Sequence, residues 1–328
     1  MKIFKKYFLV PTIITLISLI LIAIFGNVAM LFSVVILIIL EITLSFDNAI
    51  VNAKVLENMN PKWQKRFINW GIWVAVFGTR VVLPILIVAL VSGLSIPEIL
   101  RLAIYDPKTY GLKLEESHYS IDGFGGIFLL LVALKYFIDD EKRVHWFQVI
   151  EKKLKEFAEM ESIEIIFSLI ILLGISYFVP THQTEILVSG LLGCITFVLM
   201  QGITSKMDND LGDIALSGFS LFMYLNLLDV AFSLDGVVGA FAISNNIVVI
   251  AVGLGVGAYF VRSFTLLMVK QHTLASLKYL EHGAHYAIFG LGICMLLSLI
   301  FRIPEALTGV IGLIFVSWSY FSSRKATK

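Results

Sequence analysis

Two short motifs place pairs of acidic residues inside long apolar segments. In the first motif Glu41 precedes Asp47 by six positions, and in the second Asp229 precedes Asp235 by the same number. An ionised carboxylate at the centre of a bilayer costs about 2.5–3.5 kcal/mol on insertion scales, so acids at that depth indicate a functional site. The repetition predicts a site that is built twice, once from each half of the chain.

The spacing of the acids restricts how they can act. Six residues of an ideal helix give a rise of about 9 Å and a rotation of about 120°, so two acids on an unbroken helix cannot share one ion. We therefore expect the helices to bend at residues that tolerate or satisfy irregular backbone. These residues are Ser45, Asn48, Ser233 and Gly236.

The ligand types predict the kind of ion. Carboxylates and freed backbone carbonyls would form an all-oxygen shell, which suits hard divalent ions such as Mn²⁺, Mg²⁺ or Ca²⁺. No Cys or His lies within either motif, which argues in the same direction.

Basic residues in the apolar segments would balance these acids. Arg80 and Arg262 each lie in the segment that follows an acidic one, and Lys135 lies near the end of another. Four carboxylates against three basic groups leave about one negative charge in the empty site. Burial favours the protonated form of a carboxylic acid, so the site could exchange protons for metal, as an antiporter does. The arginines could instead be counter-ions that lock the helices together.

The composition predicts an all-α, polytopic membrane protein. The chain has 328 residues, of which 58% are hydrophobic and 15% charged, with a mean hydropathy of +0.90. A bilayer crossing takes about 20 helical residues, and the apolar runs give about ten spans. The predicted spans are residues 7–25, 28–53, 68–93, 121–138, 164–179, 184–203, 214–242, 246–269, 283–301 and 305–321. The net charge of +1 predicts no nucleic-acid partner.

The loop charges predict how the spans are oriented. Lys and Arg collect on the cytoplasmic side of short loops, and the pattern is met if both termini are cytoplasmic. Five spans in each half then make an inverted repeat, with residues 1–163 as the first half and 164–328 as the second. Its core would be two antiparallel three-helix units, which is typical of secondary transporters. Residues 139–161 are predicted to form a cytoplasmic amphipathic linker, and residues 94–118 an external loop.

These motifs resemble the TerC family of integral membrane proteins, within the LysE-type transporter superfamily. The resemblance covers residues 28–138 and 214–301 and rests on the repeated acidic signature, the membrane arginines, and Gly125-Gly126-Ile-Phe-Leu-Leu with Lys135 downstream. It implies export of divalent metal, chiefly Mn²⁺, across the bacterial inner membrane, and a link to tellurite resistance. The acidic motif of the family corresponds to Glu41, Asp47, Asn48, Asp229 and Asp235. The chain departs from the family at Gly236 and Val237, where Ser and Pro are usual.

The motifs therefore predict an ion transporter rather than an enzyme, and the resemblance implies that it exports metal. Its partners would be a divalent metal ion as the transported substrate and the lipid bilayer, with no prosthetic group. Whether it forms homo-oligomers stays open. Two alternatives are an intramembrane aspartyl protease, which also needs two membrane aspartates, and a scaffold of a metal or tellurite stress-response complex. The usual protease signature is not met, and a scaffold leaves the buried acids unexplained.

Overall fold

The computed structural model describes residues 7–57, 59–139, 144–155, 160, 162–209, 214–244, 246–271, 273–301 and 303–326. Throughout this described part the protein is helical and contains no β-strand, which confirms the predicted all-α class. In chain order the elements are α1 (Leu9–Phe25), α2 (Val28–Leu44), α3 (Phe46–Glu57), α4 (Pro61–Trp73), a π-helix (Val74–Val82), α5 (Leu83–Ser92), α6 (Ile96–Tyr105), α7 (Pro107–Glu116), α8 (His118–Ile138), α9 (Gln148–Lys155), α10 (Ile163–Phe178), α11 (Gln183–Asn209), α12 (Ile214–Ile243), α13 (Ile247–Lys270), α14 (Thr273–Ser276), α15 (Leu280–Ser298) and α16 (Glu305–Ala326).

Several helices have the length and composition of membrane spans. Six in the described part are long and apolar enough to cross a bilayer, and a seventh follows if the bent pair α2–α3 is counted as one span. Helices α1 and α10 are apolar but shorter. These helices are consistent with a multi-pass membrane protein, while the predicted total of about ten spans and the inverted repeat remain predictions.

The chain forms two compact units, each built from separate segments of the sequence. Unit 1 comprises residues 1–118 and 221–271, and unit 2 comprises residues 119–220 and 272–328. The units do not coincide with the predicted halves 1–163 and 164–328, because each unit takes segments from both halves. A sequence repeat need not be a compact unit, so the predicted division stays a prediction.

Helix α13 is the central helix of unit 1. It packs against α1, α2, α3, α4 and the π-helix. Close approach to α2 depends on Gly257, where an added Cβ would lie 2.5 Å from the Cβ of Glu41 and 3.1 Å from the carbonyl oxygen of Ile38. The absence of a side chain at this position therefore lets α13 lie directly against the acidic part of α2.

The first acidic motif is broken and the second is not. Helices α2 and α3 meet at Ser45 with a bend of 48°, which confirms the expected bend there. Helix α12 runs without interruption through Ser233 and Gly236, so the bend expected in the second motif is wrong. The continuous i to i−4 hydrogen bonds of α12 leave no freed carbonyl at this point.

Residues 94–118 form two helices, α6 and α7, rather than an irregular loop, while their external position stays a prediction. Ser95 and Glu98 form a capping box at the start of α6, and Pro107 opens α7 at a position where the missing amide proton is not needed. Helix α7 is anchored within unit 1, where the Tyr110 ring lies 5.4 Å from the Phe241 ring. The sequence signals for both helices were therefore local caps rather than a long apolar run.

Candidate functional site

The bend at Ser45 arranges the first acidic motif. Glu41 lies in the last turn of α2, where the Ser45 hydroxyl donates to its Oε1 at 2.8 Å. Asp47 lies in the first turn of α3, and its Oδ1 accepts from the backbone N–H of Asn48 at 2.9 Å. Both acids are buried, at 2% and 4% exposure. A helix N-terminus favours a nearby carboxylate, so the bend places Asp47 where an unbroken helix would not stabilise it.

Glu41 forms a direct ion pair with Arg80, which the π-helix provides. A π-helix carries one more residue per turn than an α-helix and is frequent at functional sites. Here it buries two consecutive polar residues, Thr79 and Arg80. The Arg80 Nη2 contacts Glu41 Oε1, while Nη1 donates to the carbonyl of Ala75 and to the Thr79 hydroxyl. Arg80 is therefore held at several points.

Asp229 lies on α12 and is held by amides from α3. Asn48 and Asn52 donate their side-chain N–H groups to Asp229 Oδ1 at 2.9 and 2.7 Å. The second oxygen, Oδ2, lies 3.7 Å from Nη1 of Arg262 on α13. Three helices thus converge on one carboxylate that is 6% exposed.

Arg262 has shorter contacts with α4 than with Asp229. Its Nη2 donates to the carbonyl oxygen of Phe67 at 2.6 Å, and its Cζ lies 3.4 Å from the centre of the Phe67 ring. Gly71 lies one turn further along α4 from Phe67. A Cβ at this position would collide with Nη2 of Arg262. The two arginines are therefore held differently. Arg80 is held by the carboxylate of Glu41, and Arg262 is held mainly by α4.

These groups surround a small buried cavity of about 20 Å³. Such a volume has room for about one water molecule or one small ion. Its lining includes Asn48, Asn52, Ser233 and Asp229, together with both arginines. Three oxygens of these residues have no hydrogen-bond partner among the described side chains and backbone, namely Asn48 Oδ1, Asn52 Oδ1 and Ser233 Oγ. Buried polar atoms normally have a partner, so these oxygens point to an occupant of the cavity.

The two arginines that line the cavity also carry unpartnered donors. Their Nε atoms are buried and have no acceptor within the described part of the chain. One water molecule between these donors and the amide oxygens would satisfy groups of both kinds.

The structure brings together some of the predicted site residues. Glu41, Ser45, Asn48, Asp229, Ser233, Arg80 and Arg262 all lie in unit 1, and all except Glu41 line the cavity. Asp47 is buried but does not line it. The side chain of Asp235 lies outside the described residues. Among the described side chains, no three His, Cys, Asp or Glu residues are close enough to hold a metal ion together, so the predicted five-residue metal site stays a prediction.

Two further predicted residues have other surroundings. Gly236 faces the first acid, since a Cβ there would lie 3.6 Å from Glu41 Oε2. Lys135 lies in unit 2, where its half-exposed ammonium group is 3.4 Å from the buried Glu164. Lys135 therefore has a counter-ion of its own and does not line the cavity.

Asn52, Phe67 and Gly71 were missed by sequence reasoning. Asn52 follows Asn48 by four positions, so both lie on one face of α3, and this spacing is a signal that could have found it. No sequence signal indicates Phe67 or Gly71, because their role depends on where Arg262 lies in space.

A second polar cluster lies in unit 2, at the predicted linker. Glu151 on α9 is fully buried, and its Oε1 accepts from the backbone N–H groups of Trp146 and Phe147 and from the hydroxyl of Tyr286, each at 3.2 Å. His145 Nδ1 lies 3.3 Å from Glu151 Oε2. Helix α9 is therefore anchored to α15 through a buried carboxylate, while linker residues 140–143, 156–159 and 161 lie outside the described residues.

Comparisons with known proteins identify one family. A search of curated proteins and a search of solved structures each gave no match. Residues 46–328 match the model of a family described as a protein of unknown function, DUF475. This match includes α3, α12 and α13, which carry most of the cavity lining, and it covers more than half of the chain. The chain therefore belongs to the DUF475 family.

Proposed function

We propose that the protein is an integral membrane transporter that exports divalent metal ions, with Mn²⁺ as the preferred substrate. One observation carries the proposal: the buried cavity of unit 1 places the Asp229 carboxylate beside unpartnered oxygens of Asn48, Asn52 and Ser233. An ion transporter needs such a group of buried oxygens at membrane depth, where isolated polar groups are otherwise unfavourable.

The chemistry of the lining supports a hard cation. One carboxylate, two amide oxygens and one hydroxyl are oxygen ligands of the kind that Mn²⁺, Mg²⁺ and Ca²⁺ accept. Among the described residues that line the cavity there is no Cys or His, the ligands that favour softer ions. The small volume suits an ion that has lost most of its water.

The charges in and beside the cavity support coupling to protons. The formal charges of Glu41 and Arg80 cancel, as do those of Asp229 and Arg262, so a divalent ion would add two uncompensated positive charges. Two unit charges about 4 Å apart interact by about 4 kcal/mol at an effective dielectric constant of 20, which is enough to oppose entry. Release of a proton from another buried acid, such as Asp47, or withdrawal of an arginine would reduce this opposition, and we propose proton antiport as the mechanism.

The proposal retains the membrane arrangement expected from the sequence. It places about ten spans in the bacterial inner membrane as an inverted repeat, with both termini in the cytoplasm. The resemblance to the TerC family and the long apolar helices support this arrangement.

The aspartyl protease gains no support from the described geometry. Its chemistry needs two aspartates that share a proton, whereas the described partners of Asp229 are Asn48, Asn52 and Arg262. No observation favours the scaffold.

The proposal is tested by the metal content of cells. Total Mn, Mg, Ca, Fe and Zn would be measured by elemental mass spectrometry in metal-challenged cells that express the wild type, Asp229→Asn or Glu164→Gln at equal levels. Glu164 is a matched control because it is a buried acid that does not line the cavity. We expect lower Mn with the wild type and with Glu164→Gln, and no lowering with Asp229→Asn. Unchanged levels of all five metals in cells with wild-type protein would refute the proposal.

A further inference from the structure

The two buried arginines of unit 1 hold their charges in different ways. The guanidinium of Arg80 contacts Glu41 directly. The guanidinium of Arg262 lies 3.7 Å from Asp229 Oδ2, outside normal hydrogen-bond distance. Asp229 is therefore the less completely neutralised of the two acids.

The closest contacts of Arg262 are with α4. The Phe67 carbonyl accepts from Nη2 at 2.6 Å, and the face of the Phe67 ring lies 3.4 Å from Cζ. A carbonyl oxygen and an aromatic face both attract a cation, and the attraction is stronger where water is excluded. Phe67 is fully buried and Arg262 is 5% exposed, so these contacts are dry.

The guanidinium occupies space that only a glycine leaves open. A Cβ on residue 71 would collide with Nη2 of Arg262 and lie 3.3 Å from the Phe67 ring. Since the guanidinium is the far end of a flexible side chain, it would be displaced before the backbone of α4 moved.

We propose that Phe67 and Gly71 form a docking place for the Arg262 guanidinium, which holds this charge away from Asp229 and leaves the carboxylate able to bind a cation. This inference rests on the proposed function and deepens it, because it names what sets the affinity of the site. Gly71 is a positioning residue that acts through Arg262. If the docking place were filled, the guanidinium would move towards Asp229 and compete with the metal ion.

The test compares Gly71→Ala with Gly78→Ala in the purified full-length protein. Both changes replace glycine by alanine in adjoining helices, Gly71 in α4 and Gly78 in the π-helix. A Cβ at residue 78 would make only an ordinary contact, 3.4 Å from Val74 Cγ1. Binding of MnCl₂ would be followed by the loss of the EPR signal of free Mn²⁺. We expect Gly71→Ala to raise the Kd on the order of tenfold, as loss of an outer-shell contact does, and Gly78→Ala to leave it unchanged.

A double-mutant cycle separates positioning from general damage. In an Arg262→Gln background there is no charge to displace, so Gly71→Ala should no longer change the Kd. An equal rise in Kd with and without Arg262 would overturn the proposal.

The position of Arg262 is tested separately, without metal. Protons of a guanidinium over an aromatic face give upfield-shifted NMR signals, which would be assigned in ¹⁵N-arginine-labelled protein by their absence from Arg262→Gln. Gly71→Ala should lose the upfield shift and Gly78→Ala should keep it. If the shift survives in Gly71→Ala, the docking place is refuted. If no variant or wild type binds Mn²⁺ while the shift behaves as expected, the proposed function fails and the docking place stands.

Discussion

At the scale of single residues, Asn48 and Asn52 give the cavity its chemistry. Each amide donates to the same Asp229 oxygen and keeps its own oxygen unpartnered. A carboxylate in place of either asparagine would add a second buried negative charge beside Asp229. Burying an unpaired charge away from water costs much free energy. Amides therefore supply ligand oxygens without adding charge.

Asn52→Ala should weaken Mn²⁺ binding by about tenfold or more, the range typical for groups that support a metal site. The change removes one oxygen from the cavity and one donor from Asp229. The matched control is Asn226→Ala, because Asn226 is also a buried asparagine with an unpartnered Oδ1, lies on α12, and does not line the cavity. EPR titration with MnCl₂ measures both variants, and equal effects would show that Asn52 has no special part in binding.

At the scale of elements, the π-helix decides where Arg80 points. Arg80 follows Ala75 by five positions, the hydrogen-bond spacing of a π-helix, so the guanidinium returns to the carbonyl of Ala75 and reaches Glu41 on α2. A regular α-helix over the same residues would rotate Arg80 relative to α2. The local winding of one segment thus fixes an ion pair between two helices.

Inserting one alanine after Phe77 should therefore break the ion pair. Phe77 is exposed and lies inside the π-helix, and one extra residue turns the following residues by about 100° around the axis. Leaving Glu41 buried without its partner should lower the free energy of unfolding by about 3–5 kcal/mol. Cys194 and Cys294 both lie in unit 2, so they would be replaced by serine and a cysteine placed at the buried Ala103 of unit 1. Unfolding in detergent can then be followed by the reaction of this cysteine with a thiol-reactive dye. The control is Phe77→Ala, which keeps the helical register and should unfold near the wild-type temperature. Similar unfolding midpoints for both variants would contradict the role given to the π-helix.

Helix α9 shows how a charged segment is held in unit 2. The fully buried Glu151 satisfies two backbone N–H groups ahead of the helix and the Tyr286 hydroxyl on α15. Unpartnered buried donors cost about 1–3 kcal/mol each, so this carboxylate fixes the segment more firmly than its amphipathic pattern indicates.

Glu151→Ala should release α9 and make the segment from residue 144 to 155 sensitive to protease under native conditions, because local opening then takes less free energy. Lys153→Ala is the control, since Lys153 lies exposed on the same helix. Limited proteolysis followed by mass spectrometry locates the cut. Cleavage of both variants at the same rate would show that Glu151 does not hold the segment.

At the scale of the whole molecule, exposed apolar side chains indicate a lipid environment. Helix α1 exposes most of its large apolar residues, including Leu16, Ile20 and Phe25. Soluble proteins rarely expose contiguous apolar surfaces of this kind, whereas lipid covers them at no such cost.

The proposed orientation predicts which segments between and beyond the spans are accessible from outside the cell. After replacement of Cys194 and Cys294 by serine, a membrane-impermeant maleimide should label Lys108→Cys in intact spheroplasts. It should label Lys62→Cys and Lys325→Cys only after the membrane is permeabilised. All three lysines are exposed, so access to the reagent depends on the side of the membrane. Labelling of Lys325→Cys in intact spheroplasts would refute the predicted cytoplasmic position of the C-terminus.

The sequence by itself determined the all-helical class, the apolar segments and the acids and arginines that face the interior. Composition and helical periodicity are local properties that can be read from the sequence alone. An acid such as Glu41 or Asp229 within an apolar run is recognised in the same way. The bend at Ser45 was also predictable, because the spacing of Glu41 and Asp47 does not fit one regular helix.

Only the tertiary structure decided which groups meet. Glu41 and Arg80 are 39 positions apart, Asn52 and Asp229 are 177 apart, and Phe67 and Arg262 are 195 apart. Such pairings depend on how α2, α3, α4, α12 and α13 pack, and the helical pattern of each segment carries no information about its partner. The roles of the π-helix and of Gly71 also depend on tertiary packing. The winding matters because it brings Arg80 to Glu41, and the missing Cβ matters because the guanidinium of Arg262 packs at that position.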